Sequence, residues 1–200
     1  MIFCARLTLI FMTKIAIFAS GSGTNAENIA RYFSNSEEIE IAVILSNKQR
    51  AGVHERARKL GIPSYTFSKT EFDDGELILE TLHQYGVDFI VLAGFLLKVS
   101  PPLLEAFPYK IINIHPALLP KYGGKGMYGD HVHRAVVDAG EKESGISIHY
   151  VNEEYDEGDI IFQARCEVLP GDTPADVAQK VHELEYTYFP QVIAKLLREK

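Results

Sequence analysis

Only two cysteines, Cys4 and Cys166, occur among 200 residues. That is too few for a disulfide scaffold, and no Cys-x-x-Cys spacing offers a zinc clasp, so a reducing cytoplasm is the expected compartment. Basic charge is also scarce: 20 Lys and Arg stand against 27 Asp and Glu, for a formal net charge of −7. No Lys or Arg block stands out, so the electrostatic grip that nucleic acid requires is missing and an acidic soluble enzyme is expected. No apolar run approaches the roughly 18 residues a membrane span needs. The opening MIFCARLTLIF carries an apolar stretch shorter than a signal-peptide core, with no small-residue cleavage site after it. Residues 1–12 are therefore expected to be an N-terminal extension, with Met12 as a second start, ahead of a single domain over residues 13–200. These limits leave small-molecule substrates, no nucleic acid and no membrane, in a monomer or homodimer.

Hydrophobic residues make up 46% of the chain, enough to fill a sizeable core. Short apolar runs rich in β-branched residues recur: KIAIFAS, EIAVILSN, KLGIPSYTF, VDFIVLAGF and KIINIH, each a buried strand candidate. Between them lie helical patterns over residues 25–33, 52–60 and 71–85, the last with Leu77, Leu79, Leu82 and Tyr85 spaced for one face. Strands alternating with helices predict right-handed βαβ crossovers, hence an α/β, Rossmann-like fold with a mostly parallel twisted sheet and helices on both faces. A further helix to about Ala139, two strand-like runs (GISIHYVN and DIIFQARCEVL) and a closing helix from Pro174 toward Leu197 complete the chain. Pro190 is expected to end or kink that helix.

In FASGSGTNAE, Gly21 and Gly23 follow the first strand and precede the first helix. Such a loop turns backbone N–H groups toward an anion at a helix N-terminus. The pattern also fits the dinucleotide fingerprint, which wants an Asp or Glu closing the second strand to hold a ribose. That strand ends in Leu45-Ser46-Asn47-Lys48, without an acid. A phosphomonoester held by Gly23, Thr24 and Asn25 therefore fits better than a dinucleotide, while a tight turn with no ligand would use the same residues.

The stretch NIHPALLPKY sets Asn113 and His115 at the end of a strand, where open α/β sheets bind ligands. Alternation points both side chains to one side. An amide donates to a developing oxyanion and an imidazole moves protons near neutrality, a pairing suited to attack of an amine on a formyl or acyl carbon. Pro116 restrains His115 to extended geometry and Pro120 stiffens the exit. A histidine so used benefits from a carboxylate, and Asp156, in the turn EEYDEGD, is the candidate; Glu153, Glu154, Glu157 and Asp159 read more simply as a solvated acidic loop.

NIHPALLPKY resembles the Asn-x-His-Pro-[Ser/Ala]-Leu-Leu-Pro signature of the folate-dependent formyltransferases. GSGTN, VLAGF, GISIHYV and EYDEGDII occur in the order found in that family, and the resemblance covers about residues 13–197. It implies formyl transfer from 10-formyltetrahydrofolate to the amine of 5′-phosphoribosylglycinamide, a step of purine synthesis, without a metal. By the same resemblance Asn113 steadies the tetrahedral oxyanion, His115 is the general acid, and Asp156 keeps His115 charged. Gly23, Thr24 and Asn25 correspond to the phosphate loop and Glu185 to a ribose-contacting acid, whereas His182 stands where a Gln is usual. Leu96, Leu97, Lys98 and Val99, with Asn113 and backbone of residues 153–158, would line the folate site. Leu97 replaces an Arg of well-known members, and Lys69 would take the place of another Arg that touches the folate. The segment GGKGMYGDHVH departs from the family's shorter form.

His131 and His133, two apart on a helix, diverge by about 200° and are assigned to helix start and surface packing rather than to a metal. Ser147 and His149 share a strand face and are expected either to support the catalytic loop or to satisfy the core; Tyr186 and Tyr188 are expected to pack. Among other formyl-handling enzymes, the deformylases typically show a second His where Pro116 stands, and the formyltransferases acting on tRNA are disfavoured by the acidic balance. A non-catalytic nucleotide-binding module would explain the glycine loop and leave Asn113, His115 and Asp156 idle.

Overall fold

The computed structural model describes residues 12–198; the expected extension therefore lies outside the described residues, Met12 excepted. Strands β1 (Thr13–Phe18), β2 (Ile39–Ser46), β3 (Ser64–Thr66), β4 (Phe89–Leu92) and β5 (Ile111–His115) pair in parallel. Strands β6 (Glu143–Tyr150) and β7 (Ile160–Glu167) join antiparallel. Together they form one sheet of order β3-β2-β1-β4-β5-β6-β7. The helices are α1 (Thr24–Tyr32), α2 (Gly52–Leu60), α3 (Lys69–Asp74), α4 (Glu76–Gln84), α5 (Pro101–Ala106), α6 (Asp130–Asp138) and α7 (Pro174–Arg198).

Parallel strands bury both faces, and here the alternation sorts one strand into two cores. Ile15 and Ile17 of β1, Phe89 and Val91 of β4, and Ile112 and Ile114 of β5 pack with Ile29, Val53, Val136, Val181 and Phe189 from α1, α2, α6 and α7. Their neighbours Ala16, Phe18, Ile90, Leu92 and Ile111 pack on the opposite side with Phe72, Ile78, Leu82 and Leu103 from α3, α4 and α5. Phe18, Phe67, Phe72 and Phe95 meet there edge to face and stacked, with Phe67 and Phe72 centroids 5.1 Å apart.

The helix expected over 71–85 is two helices. Ser68 and Glu71 form a capping box that starts α3, and Gly75, in the left-handed conformation (φ 83°), ends α3 and opens α4. The core-facing side of α4 is Ile78 and Leu82 with Leu79 and Tyr85 packed beside them, as the spacing predicts for three of its four positions; Leu77 alone is exposed, and Ile78 takes its place. In KLGIPSYTF, α2 runs on to Leu60 and only Ser64–Thr66 is strand. Helix α7 does not end at Pro190: burial of Phe189, Ile193 and Ala194 on the sheet outweighs one lost backbone hydrogen bond.

After β1 the chain winds toward β2 and β3, then returns to place β4 on the other side of β1. The crevice beyond the carboxyl ends of β1 and β4, extended by β5, is the topological switch point, and a deep cavity opens there.

Candidate active site

The cavity measures roughly 560 Å³ and is walled by the β1–α1 loop, the ends of β4 and β5, residues 124–129, Tyr155, Asp156 and one side of α7. The glycine loop forms one end. Gly23 is left-handed (φ 76°), and a Cβ there would come within 2.5 Å of Val53 on α2. Only glycine lets α1 start this close to α2 with its first N–H groups toward the cavity. Asn25 lies in the first turn and donates through Nδ2 to Glu185 Oε2 at 2.8 Å; His182 Nδ1 is 2.9 Å from the same oxygen. Glu185 belongs to the stripe Val177, Val181, Glu185, Phe189 and Ile193 and is 5% exposed, an acid in the core-facing row of α7 held by two polar partners. That carboxylate, by its hydrogen bond and its charge, raises the His182 imidazole above its usual value.

The opposite end is built on Ser20. Its hydroxyl donates to Asn47 Oδ1 at 2.6 Å and accepts the Leu96 N–H at 3.0 Å, so the loop after β4 is fastened to β1 and β2. Leu96 and Phe95 face the cavity. Leu97 and Val99 turn to the core below the sheet, and exposed Lys98 lies 3.7 Å from Glu154 with its ammonium 5.8 Å from the Tyr155 ring centre. Lys69 lies on α3 outside the cavity lining and pairs with Asp73.

Between the two ends stand the polar groups of β5. His149 on β6 faces Asn113 across the antiparallel pair. Its Nδ1 sits 2.8 Å from the Tyr150 carbonyl oxygen, which only an N–H can satisfy, so Nε2 is the acceptor for Asn113 Nδ2 at 3.1 Å. The amide is oriented by one hydrogen and has a second to offer the cavity. His115 is 3% exposed; its Nε2 donates to the Tyr122 carbonyl at 2.7 Å and its Nδ1 stands 3.5 Å from Asp156 Oδ2. Asp156 Oδ2 also accepts the Gly124 N–H at 2.9 Å, and Oδ1 lies 3.6 Å from His149 Nε2. The Asp156 backbone is left-handed (φ 57°), strain of about 1 kcal/mol that aims the carboxylate at β5.

Burial sets the protonation states. It pushes His115 below the ordinary imidazole value, more than the charge of Asp156 and the bond to Tyr122 push it up. His115 is thus neutral near pH 7, where the resemblance implies a charged histidine, because desolvation of a cation outweighs one carboxylate at 3.5 Å. For Asp156, burial acts upward, yet the His149 and His115 imidazoles and the Gly124 N–H outweigh it and hold the carboxyl below its usual range.

Ser147, opposite His115 on β6, is completely buried; its hydroxyl accepts the Leu119 N–H at 2.9 Å and donates to the Ala117 carbonyl at 2.7 Å, while Gln163 donates to it at 2.8 Å. These bonds fix the 117–122 loop that carries the Tyr122 carbonyl to His115. Ser147→Ala is expected to lower stability by about 2 kcal/mol, because buried partners are orphaned, and kcat by roughly tenfold as the loop loosens. Urea unfolding and steady-state kinetics check both.

Of the residues named from sequence, Gly23, Thr24, Asn25, Leu96, Asn113, His115, Asp156 and Glu185 all line the cavity. His131 is exposed against Tyr128, with ring centres 5.2 Å apart, and Tyr188 packs on Phe162. His133 is a correction: it is 2% exposed and lines the cavity, because α6 packs on α7 with that side inward. Lys48, Met127 and Tyr128 also line it. Lys48 stands two residues past Ser46, the last residue of β2, a position at the carboxyl edge of the sheet that is legible in the sequence.

The pattern of the formyl transferase family matches residues 13–193. A chloroplastic phosphoribosylglycinamide formyltransferase of Arabidopsis thaliana is 42% identical over 94% of this chain, which spans 66% of that relative's length. The phosphoribosylglycinamide formyltransferase of Bacillus subtilis is 38% identical over 93% of this chain and 95% of its own. Among solved structures, glycinamide ribonucleotide transformylase 1 of Symbiobacterium toebii is similar at a TM-score of 0.86 and 33% identity, covering 94% of this chain and 89% of its own.

Proposed function

The chain belongs to the formyl transferase family, and from that premise we propose that it moves a formyl group from 10-formyltetrahydrofolate to the amine of 5′-phosphoribosylglycinamide. The observation that carries this reading is one cavity holding an amide, an imidazole and a carboxylate between an anion-binding loop and an apolar end. Gly23, Thr24 and Asn25 take the phosphate, and Glu185 the sugar. Leu96, Asn113 and backbone of the 153–158 loop take the folate, placing the formyl carbon at Asn113, while Leu97 and Val99 support that wall from the core. The amine attacks that carbon; the second Asn113 N–H steadies the oxyanion. Neutral His115 receives a proton at Nδ1, beside Asp156, and returns it to the departing folate nitrogen as general acid. Starting neutral and becoming charged makes the carboxylate most useful after attack, where stabilisation accelerates the reaction. The cytoplasm is the proposed compartment, as the two-cysteine composition suggests.

The test is purified protein with both substrates, and controls with water or formate in place of the ribonucleotide. Formylated ribonucleotide is the expected product. Formate released without it would mean a deformylase, and no consumption of formylfolate would leave a binding module.

A further inference from the structure

Two buried polar atoms in the cavity wall have no partner among the described residues: Asn25 Oδ1 and His133 Nδ1. They belong to one cluster drawn from three helices. Asn25 of α1 has its Nδ2 committed to Glu185, which leaves Oδ1 as a pure acceptor on the other side of the amide. His133 of α6 lies edge-on to His182 of α7 with ring centres 6.4 Å apart, and His182 in turn stacks on Tyr186. All four groups, Asn25, His133, His182 and Glu185, line the same cavity.

The chemistry of the orphaned atoms narrows the ligand. Asn25 Oδ1 requires a hydrogen donor, which a phosphate dianion lacks. Burial first, then the neighbouring His182, pushes the His133 imidazole downward against the pull of Glu185 and Asp130, so the ring is neutral near pH 7 and its Nδ1 can receive as well as give. An ammonium group donates but cannot accept. A hydroxyl does both, and adjacent hydroxyls satisfy the two atoms together.

We propose that His133 is a substrate-positioning residue which, with Asn25, receives the hydroxyls of a sugar lying between the glycine loop and His115. This deepens the proposed function by making ribose against deoxyribose a discrimination written into α6. A buried site built for a hydroxyl rejects the analogue lacking it, because its own polar atoms are then left unpaired.

Two variants and two readouts test it. Ribose 5-phosphate and 2-deoxyribose 5-phosphate serve as binding probes that need no turnover; kinetics use phosphoribosylglycinamide and formylfolate. His133→Leu is expected to raise KM for the ribonucleotide about tenfold or more, with kcat and the formylfolate KM within about twofold, and to erase most of the preference for ribose 5-phosphate. His133→Asn, which sets an amide where Nδ1 stands, is expected to recover most of both, and thermal unfolding monitors the fold of each variant. Unchanged ribose preference in folded His133→Leu, or failure of His133→Asn to recover anything, overturns the proposal. A wild-type protein that forms no formylated ribonucleotide yet loses sugar discrimination in His133→Leu would remove the proposed reaction and leave the sugar site standing.

Discussion

His115→Gln is expected to reduce kcat by about 10³-fold while the protein folds and binds phosphoribosylglycinamide nearly as the wild type does. Glutamine is the informative replacement because its Nε2 can still donate to the Tyr122 carbonyl, the 2.7 Å bond that closes the 117–122 loop on β5. What it removes is Nδ1, the atom facing Asp156, and with it the only place on this side chain where a proton can be taken up and released. His115→Ala would remove both, so a comparison of the two separates chemistry from scaffolding: both variants lose turnover, and alanine alone loses stability. Equilibrium binding, kcat and urea unfolding give the three numbers needed. If glutamine keeps turnover within about tenfold of wild type, His115 is a structural clamp and the proton moves elsewhere. In the wild type, burial has lowered the imidazole, so kcat/KM is expected to hold through pH 6.5 and fall only as pH drops through the lowered value, when the base is protonated before the amine arrives.

Asp156→Asn is expected to cost roughly 10²- to 10³-fold in kcat, the usual loss when one preorganised electrostatic contact to a developing charge is deleted. An asparagine still accepts the Gly124 N–H through Oδ1, so the loop is held while the charge is gone. The pH dependence supplies a second, independent sign. Asp156 raises His115, partly offsetting burial, and without that charge the imidazole falls further; the acid limb of kcat/KM therefore moves to lower pH. Movement to higher pH, or kcat within threefold of wild type, would contradict the role. Stability follows the carboxyl itself. Its value is depressed in the fold, so its contribution is complete above the unfolded carboxylate value near 4 and is lost as pH falls through the folded one. The stability difference between wild type and Asp156→Asn should accordingly shrink as unfolding is measured from pH 7 down toward pH 3.

Much of this site was readable because the chain's local periods carry it. Asn113 and His115 are two apart on β5 and do share a side, with Ile112 and Ile114 in the opposite core. Glu185 was also within reach of pattern alone: it interrupts the four-residue apolar rhythm of Val177, Val181, Phe189 and Ile193. The inward side of His133 is not legible in the sequence because a nine-residue helix does not declare which side meets a neighbour, and 35 residues separate the end of α6 from the start of its partner, α7. The break at Gly75 shows the opposite limit. The whole stripe Leu77, Leu79, Leu82 and Tyr85 lies after it; Leu82 is buried and Leu79 and Tyr85 pack against the same core, but the left-handed residue starts a new helix there, and Ile78 rather than Leu77 takes the buried place in its first turn.

By itself, then, the sequence determined the alternation of strand and helix, the glycine turn, and the residue types gathered at strand ends, since backbone sterics and side-chain period act over a few residues. Only the tertiary structure decided that Asp156 folds back to within 3.5 Å of His115 and that His149 orients Asn113. It also decided that His115 starts neutral. Distance between remote side chains depends on topology, and the cost of holding a charge depends on how completely the surrounding fold excludes water, and neither quantity resides in any one residue.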